Sequence, residues 1–220
     1  MKLRAKTKNR LRHHSNPLNF RYEQLEIPDW EALLGGPPEV IDIGIGMGEF
    51  LCAYAQLHPN KRMVGLEVRQ AFCEEARLRL QDAEVGNALV VHANATVYLN
   101  KILAENSIEL AFLSFPDPWF KKRHHKRRLI SESFLQQLHW VMKPGAEFLL
   151  QSDNQELVEF MVETVENSGL FVNQVAPHQT VEEPFSEATT EREDYYARKG
   201  YPVWRYRYTR LDEKQKRDSS

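Results

Sequence analysis

Five short apolar runs constrain this chain most: "EVIDI" (39–43), "RMVGLE" (62–67), "ALVVH" (88–92), "IELAFLSF" (108–115) and "AEFLLQS" (146–152). Each is mainly apolar rather than strictly alternating, so each needs cover on both faces. The segments between them have helical character. "EFLCAYAQLH" follows the first run and "RQAFCEEARLRLQDA" the second. "SESFLQQLHWVM" places Phe134, Leu138, Val141 and Met142 on one face before "KPG" ends it. "NQELVEFMVETVENSG" repeats apolar groups at Leu157, Phe160, Met161, Thr164 and Val165 before Gly169. "LFVNQVA" and "PVWRYRYTR" are late strands joined by a polar stretch, which suits an antiparallel edge pair. Strands alternating with helices predict an α/β domain with a mostly parallel sheet covered on both sides.

In such a sheet, ligands sit beyond the carboxyl ends of the strands, near the switch in strand order. After the first strand comes "DIGIGMGEF", with Asp42, Gly44, Gly46 and Gly48. These glycines allow a sharp turn and a close approach of ligand to backbone. Glu67 closes the second strand, where a carboxylate can accept both hydrogen bonds of a ribose diol. Dinucleotide enzymes usually show G-x-G-x-x-G, which seats pyrophosphate on a helix N-terminus. Here the spacing is G-x-G-x-G, and Glu49 in the first helical turn would repel phosphate. A nucleoside cofactor without phosphate fits better, and S-adenosylmethionine is such a molecule, with Asp42 available to its cationic amino-acid end.

Asn94, after the third strand, is either an adenine-edge partner or an ordinary turn residue. Asp153, after the fifth, is a helix N-cap, a substrate contact, or both. Thr190 and Glu193 lie in "TTEREDYYARKG", where a capping box and a polar contact compete as explanations. After the fourth strand, "SFPDPWFKKRHHKRRL" holds Asp117 between Pro116 and Pro118, with Trp119 next. Each proline restricts itself and its predecessor, so Phe115 and Asp117 are expected in extended geometry and the carboxylate in a fixed direction.

Net charge is only −2, but it is strongly segregated. Lys2, Arg4, Lys6, Lys8, Arg10 and Arg12 crowd the first fourteen residues, and Lys121, Lys122, Arg123, Lys126, Arg127 and Arg128 crowd residues 120–128, with no acid in either stretch. The other 17 basic residues face 31 acidic ones. An acidic body with two concentrated cationic stretches suits a localised polyanion site.

"DIGIGMG", "GLEVR", "FPDPWFKKRHHKRR", "QSDN" and "TEREDYYARKG", in this order, resemble the bacterial tRNA (guanine-N7-)-methyltransferases over roughly residues 38–208. The D-P-W-x-K-K-R-H-x-K-R-R segment is the most specific element. The resemblance implies a Rossmann-like class I methyltransferase fold, S-adenosylmethionine as cofactor, and tRNA as partner. It implies cofactor contacts at Asp42, Glu67, Asn94 and Asp117, and substrate contacts at Lys121, Asp153, Thr190 and Glu193. The implied target is a guanine of the variable loop, at position 46. Asp42 stands where the family often has Glu, Asn94 where Asp is common, Phe120 where His or Pro is usual, and "QSDN" where a Lys-Thr version occurs. These departures concern affinity and base contacts rather than the class of reaction.

The expected organisation is a basic arm and lead-in at 1–37, a methyltransferase domain at 38–210 and a polar tail at 211–220. Asp117 is the expected catalytic group, with Lys122, Arg123, Lys126, Arg127 and Arg128 on RNA phosphates. His124 and His125 lack further ligands at metal spacing, so no metal site is expected. Cys52 and Cys73 show no CxxC spacing and suit reduced thiols in a cytoplasmic protein. No apolar run approaches the ~18 residues of a membrane helix. Monomer and homodimer stay equally open. Rival functions are methylation of another RNA base or a small molecule, a dinucleotide oxidoreductase, and a non-catalytic RNA-binding partner.

Overall fold

The computed structural model describes Phe20 and residues 25–119 and 128–212. Seven strands form one sheet: β1 (Val40–Ile43), β2 (Met63–Glu67), β3 (Ala88–His92), β4 (Ile108–Ser114), β5 (Met142–Ser152), β6 (Phe171–Asn173) and β7 (Trp204–Arg210). Their order is β3-β2-β1-β4-β5-β7-β6. The pairings β1–β2, β1–β4, β2–β3 and β4–β5 are parallel, and β7 is antiparallel to both β5 and β6. The expected antiparallel pair forms, with β6 outermost and β7 one place inside it.

Helices α1 (Trp30–Leu34), α2 (Glu49–Leu57), α3 (Gln70–Asp82), α4 (Ala95–Ile102), α5 (Glu132–Val141), α6 (Gln155–Asn167) and α7 (Glu191–Lys199) connect and cover the strands. Side chains alternate along β1, so Ile41 and Ile43 enter one core while Val40 enters the other. The first core includes Leu99 of α4, Phe134 and Leu138 of α5, and Leu157 and Met161 of α6. The second includes Phe50 and Leu51 of α2, Cys73 and Ala76 of α3, and Phe112 of β4. Each large side chain sealed there contributes roughly 1.5–3 kcal/mol relative to exposure. Cover on both faces is what continuous apolar strands require.

Three elements depart from the sequence expectation. The short helices α1 and α4 were not foreseen; α4 buries only Ala95, Leu99 and Ile102. The fifth strand begins at Met142, directly after α5, and its register against β4 shifts between Ile108 and Leu110. The helix therefore ends at Val141, before Lys143-Pro144-Gly145, and that stretch lies inside an irregular strand rather than in a loop.

Candidate active site

The strand order reverses at β1, whose neighbours are β2 and β4. A cleft opens beyond the carboxyl ends of these strands. One half is lined by Glu67, Asn94, Thr96, Trp119 and Leu129 among others, the other by Asp42, Gly46, Phe72, Thr190 and Arg192. Gly44, Arg69, Ser114, Phe115 and Asp117 line both halves. The structure thus gathers Asp42, Gly44, Gly46, Glu67, Asn94, Asp117 and Thr190 around one space.

The turn after β1 delivers this arrangement. Gly46 has φ +58°, and a Cβ placed there would meet nothing within 4 Å, so its face is open toward the cleft. Gly48 differs: at φ +76° a Cβ would stand 2.8 Å from the Cβ of Ala76, so this glycine lets α2 start tightly against α3. Glu49 occupies the first turn of α2, as expected, and accepts from the Arg79 guanidinium at 2.7 Å.

Asp42 is 4% exposed. Burial, and secondarily the charge of Glu67, push its carboxyl from the ordinary 3.8 up to about 7. Glu67 is equally buried, and both its oxygens are occupied. Oε2 accepts from the Gly46 amide at 3.1 Å and Oε1 from the Arg69 amide at 2.9 Å. The Arg69 guanidinium adds Nε to Oε1 at 2.9 Å and Nη2 to Oε2 at 3.2 Å, while lying 3.7 Å above the Phe72 ring centroid.

Asn94 caps α4, its Oδ1 accepting from the Thr96 amide and hydroxyl. In the Phe115–Trp119 turn, Phe115 has φ +51° and Trp119 φ +43°. The extended geometry expected of Phe115 is therefore corrected to a left-handed one. Its amide still donates to the Gln151 carbonyl at 2.9 Å, and the chain turns out of the sheet immediately afterwards. Two bulky residues at positive φ store strain of order 1–3 kcal/mol each, which surrounding contacts must hold. Arg128 supplies one such contact. It is 8% exposed, donates Nε to the Pro118 carbonyl at 3.3 Å, and lies over Phe160 at 4.4 Å. Its guanidinium braces the turn rather than facing outward. Lys121, Lys122, Arg123, His124, His125, Lys126 and Arg127, together with the basic arm from Lys2 to Arg12, lie outside the described residues.

Helix α6 is capped by Asn154, whose Oδ1 accepts from the Leu157 amide at 2.8 Å, so the cap belongs to Asn154 and not to Asp153. The Asp153 carboxylate pairs instead with Arg192 of α7 at 2.9 Å. Thr190 and Glu193 form a full capping box at the start of α7, and buried Glu193 also pairs with Arg205 at 3.2 Å. Thr190 lines the cleft, and Glu193 stands behind it. Arg69 and Ser114 are among the cleft residues that sequence reasoning passed over, as are Phe72 and Arg192. Two of the four sit beside a feature that was singled out, Arg69 following Glu67 by two positions and Ser114 preceding the proline-bounded turn.

This topology and strand-end cleft define a class I methyltransferase, a fold built around S-adenosylmethionine. Solved structures of low sequence identity share the fold: a SAM-dependent methyltransferase from Aquifex aeolicus (15% identity, TM-score 0.57, covering 90% of this chain and 100% of that one) and the 16S rRNA methyltransferase KamB (18%, TM-score 0.56, 85% and 95%). A family model described as "Putative methyltransferase" matches residues 37–206. A tRNA (guanine-N(7)-)-methyltransferase of Synechococcus sp. (strain JA-3-3Ab) is 37% identical over 202 residues, 90% of this chain and 84% of that protein. One of Thermosynechococcus vestitus is 35% identical over 204 residues, 91% and 95%. The chain belongs to the tRNA (guanine-N(7)-)-methyltransferase family.

The residues present fit the cofactor of that family. Backbone amides hold the Glu67 carboxylate in place, and the two remaining lone pairs, now held by a side chain, match the two hydroxyls of a ribose. The open face of Gly46 permits unhindered backbone approach.

Proposed function

We propose that this protein methylates N7 of a guanine in tRNA, at position 46 of the variable loop, to form 7-methylguanosine. The observation that carries this reading is Asp117: it lines both halves of the cleft, between the half that holds Glu67 and Asn94 and the half that holds Asp42 and Thr190. The names of the relatives support the choice of tRNA and guanine.

S-adenosylmethionine supplies an electrophilic methyl group, and guanine N7 takes it with its own lone pair as the carbon–sulfur bond breaks. N7 carries no proton, so no residue has to act as a general base. What the chain must do is orient. Glu67 and Asn94 hold the nucleoside end, Gly44 and Gly46 open the backbone to it, and Asp42 meets the cationic amino-acid end. Thr190 and the Asp153–Arg192 pair border the side where the base enters. Correct placement of two reactants is worth ~7–11 kcal/mol, which makes positioning the main contribution. Asp117, aimed by its prolines and by the strained turn, faces the imidazole ring as it becomes cationic and stabilises that charge without reorganising. The N7 edge lies in a deep, narrow groove of A-form RNA, so the target guanine must be unpaired or drawn out. The basic residues 121–127, with the basic arm, are assigned to the RNA backbone.

Among the described residues no helix is long and apolar enough to cross a membrane, and Cys52 and Cys73 are buried free thiols; both suit action in the cytoplasm. The test is transfer of labelled methyl to total tRNA, with the product mapped by chemical cleavage at 7-methylguanosine. Cleavage at position 46 is expected. Label on another base or on a small molecule, or tRNA binding without cofactor binding, would overturn the reading.

A further inference from the structure

Helix α7 carries aromatic residues that the core does not use. Of its nine residues only Glu193 is buried. Tyr195 is 49% exposed, and Tyr201, just past the helix, 55%. They flank Tyr196, whose ring meets Tyr195 edge-on at 5.5 Å and Tyr201 edge-on at 5.7 Å. The Asp153 carboxylate beside the Tyr196 hydroxyl raises the phenol above its usual range. The row continues inward. The Arg192 guanidinium lies 6.0 Å from the Tyr196 ring and 5.6 Å from that of Phe115, which lines both halves of the cleft.

A left-handed Gly200 cap explains why Tyr201 reaches back to Tyr196, since its amide donates to the Tyr196 carbonyl at 3.0 Å. The cap does not explain why two phenol rings stay half in water beside Arg198 and Lys199 in the last turn. Scattered exposed aromatics need no explanation, but a contiguous row that begins in the cleft and ends beside two cations does.

We infer that the row Phe115, Arg192, Tyr196, Tyr201, with Tyr195 at its side, is a stacking surface for the unpaired nucleotides next to the target guanine. This rests on the tRNA reading above and adds to it a path for the strand. Successive bases lie on aromatic and guanidinium faces, which accept any base because every base has a π face. Arg198 and Lys199 meet the phosphates, giving charge complementarity at the outer end. Asp153 has a positioning part here: its ion pair ties Arg192, which lies against the Tyr196 and Phe115 rings, to the end of β5 and so fixes the row against the cleft.

The test uses the full chain with Tyr195→Ala/Tyr201→Ala, and with Tyr195→Trp/Tyr201→Trp as the conservative pair. Both residues lie outside the catalytic and cofactor-binding groups. Affinity is measured for tRNA and for an otherwise identical RNA with abasic residues beside the target guanine, along with S-adenosylhomocysteine affinity and melting temperature. The alanine pair is expected to weaken tRNA binding roughly 5- to 100-fold, the range that follows from ~1–3 kcal/mol per stacked base. The tryptophan pair should retain it, and both should leave cofactor affinity and melting unchanged. On abasic RNA the alanine pair and the unaltered protein should bind alike, and the salt slope should change little because stacking releases no counterions. Equal tRNA affinity for all three proteins would overturn the row, as would an undiminished alanine defect on abasic RNA. If those results came with normal 7-methylguanosine formation, the tRNA reading would stand without the row. If the unaltered protein neither bound nor methylated tRNA, both would fall.

Discussion

If Asp42 meets the cationic amino-acid end of the cofactor, as proposed, its protonation couples cofactor affinity to pH. Its carboxyl is raised from 3.8 to about 7, first by burial and then by Glu67. That rise corresponds to roughly 4 kcal/mol of differential interaction between the two protonation states. The sign follows from proton counting. Between about pH 4 and about pH 7 the folded chain keeps a proton that the unfolded chain has lost, so stability falls across that window and levels off above it. A cationic amino group arriving beside Asp42 needs the carboxylate, so binding expels the proton wherever it is still held. Affinity for S-adenosylhomocysteine, which keeps that amino group, should therefore climb about tenfold per pH unit up to pH 7 and flatten above. At pH 6 close to one proton should be released per ligand bound, and about half a proton at pH 7. Calorimetry in two buffers of different ionisation enthalpy reads both quantities. Asp42→Asn should abolish the slope and weaken binding at pH 8 by roughly 10- to 100-fold, as expected for a lost charge-assisted hydrogen bond of ~1.5–3 kcal/mol. The free Asn variant should also melt higher than the unaltered protein at pH 8, because it no longer buries a charge. A pH-independent affinity between 5.5 and 7.5, or the same slope in the Asn variant, would refute this reasoning.

Arg69→Met should tighten S-adenosylhomocysteine binding several-fold by calorimetry, since the guanidinium holds the two Glu67 lone pairs that a ribose needs; weaker binding would mean that it orients Glu67 instead. Gly48→Ala should lower the melting temperature more than Gly46→Ala, because only the former drives a Cβ to 2.8 Å from Ala76, whereas Gly46→Ala should act mainly on cofactor affinity. Glu109 accepts from Lys61 at 2.6 Å and Lys143 at 2.7 Å, and these two bonds hold its carboxyl down at about 2. Its contribution is present above about pH 4.5 and fades as pH falls toward 2, and it is modest because these side chains are 37–44% exposed. Glu109→Gln should therefore lower melting by a few degrees at pH 7, by progressively less below pH 4, and leave methyl transfer unchanged.

The parallel part of the sheet was legible because each of its strands carries its own signal, a mainly apolar run such as Met63–Glu67 that is buried on both faces. The long amphipathic helices were legible for the same reason. Helix α4 was not, since eight residues burying three side chains make too little periodic pattern to stand out. The place of β7 between β5 and β6 depends on pairings across the chain that no local pattern records. The site followed the same division. Asp42, Gly44, Gly46, Glu67 and Asp117 announce themselves by standing at strand ends, and one cleft gathers them. The partners that decide what each group is free to do come from elsewhere. Arg192 reaches Asp153 over 39 residues of chain, and Arg205 reaches Glu193 across a helix and a strand. Arg128 looked like one more cation of a basic run, yet an aromatic ring on α6 and a proline carbonyl draw it into the protein.

Single-turnover methyl transfer by Asp117→Ala, measured with saturating S-adenosylmethionine and tRNA, tests the role of the rigid carboxylate most directly. A loss of roughly 10²–10³ in rate, with cofactor and tRNA affinities nearly unchanged, is predicted for a group that acts on charge developing in the transition state. Turnover close to that of the unaltered protein, with both ligands bound normally, would contradict it.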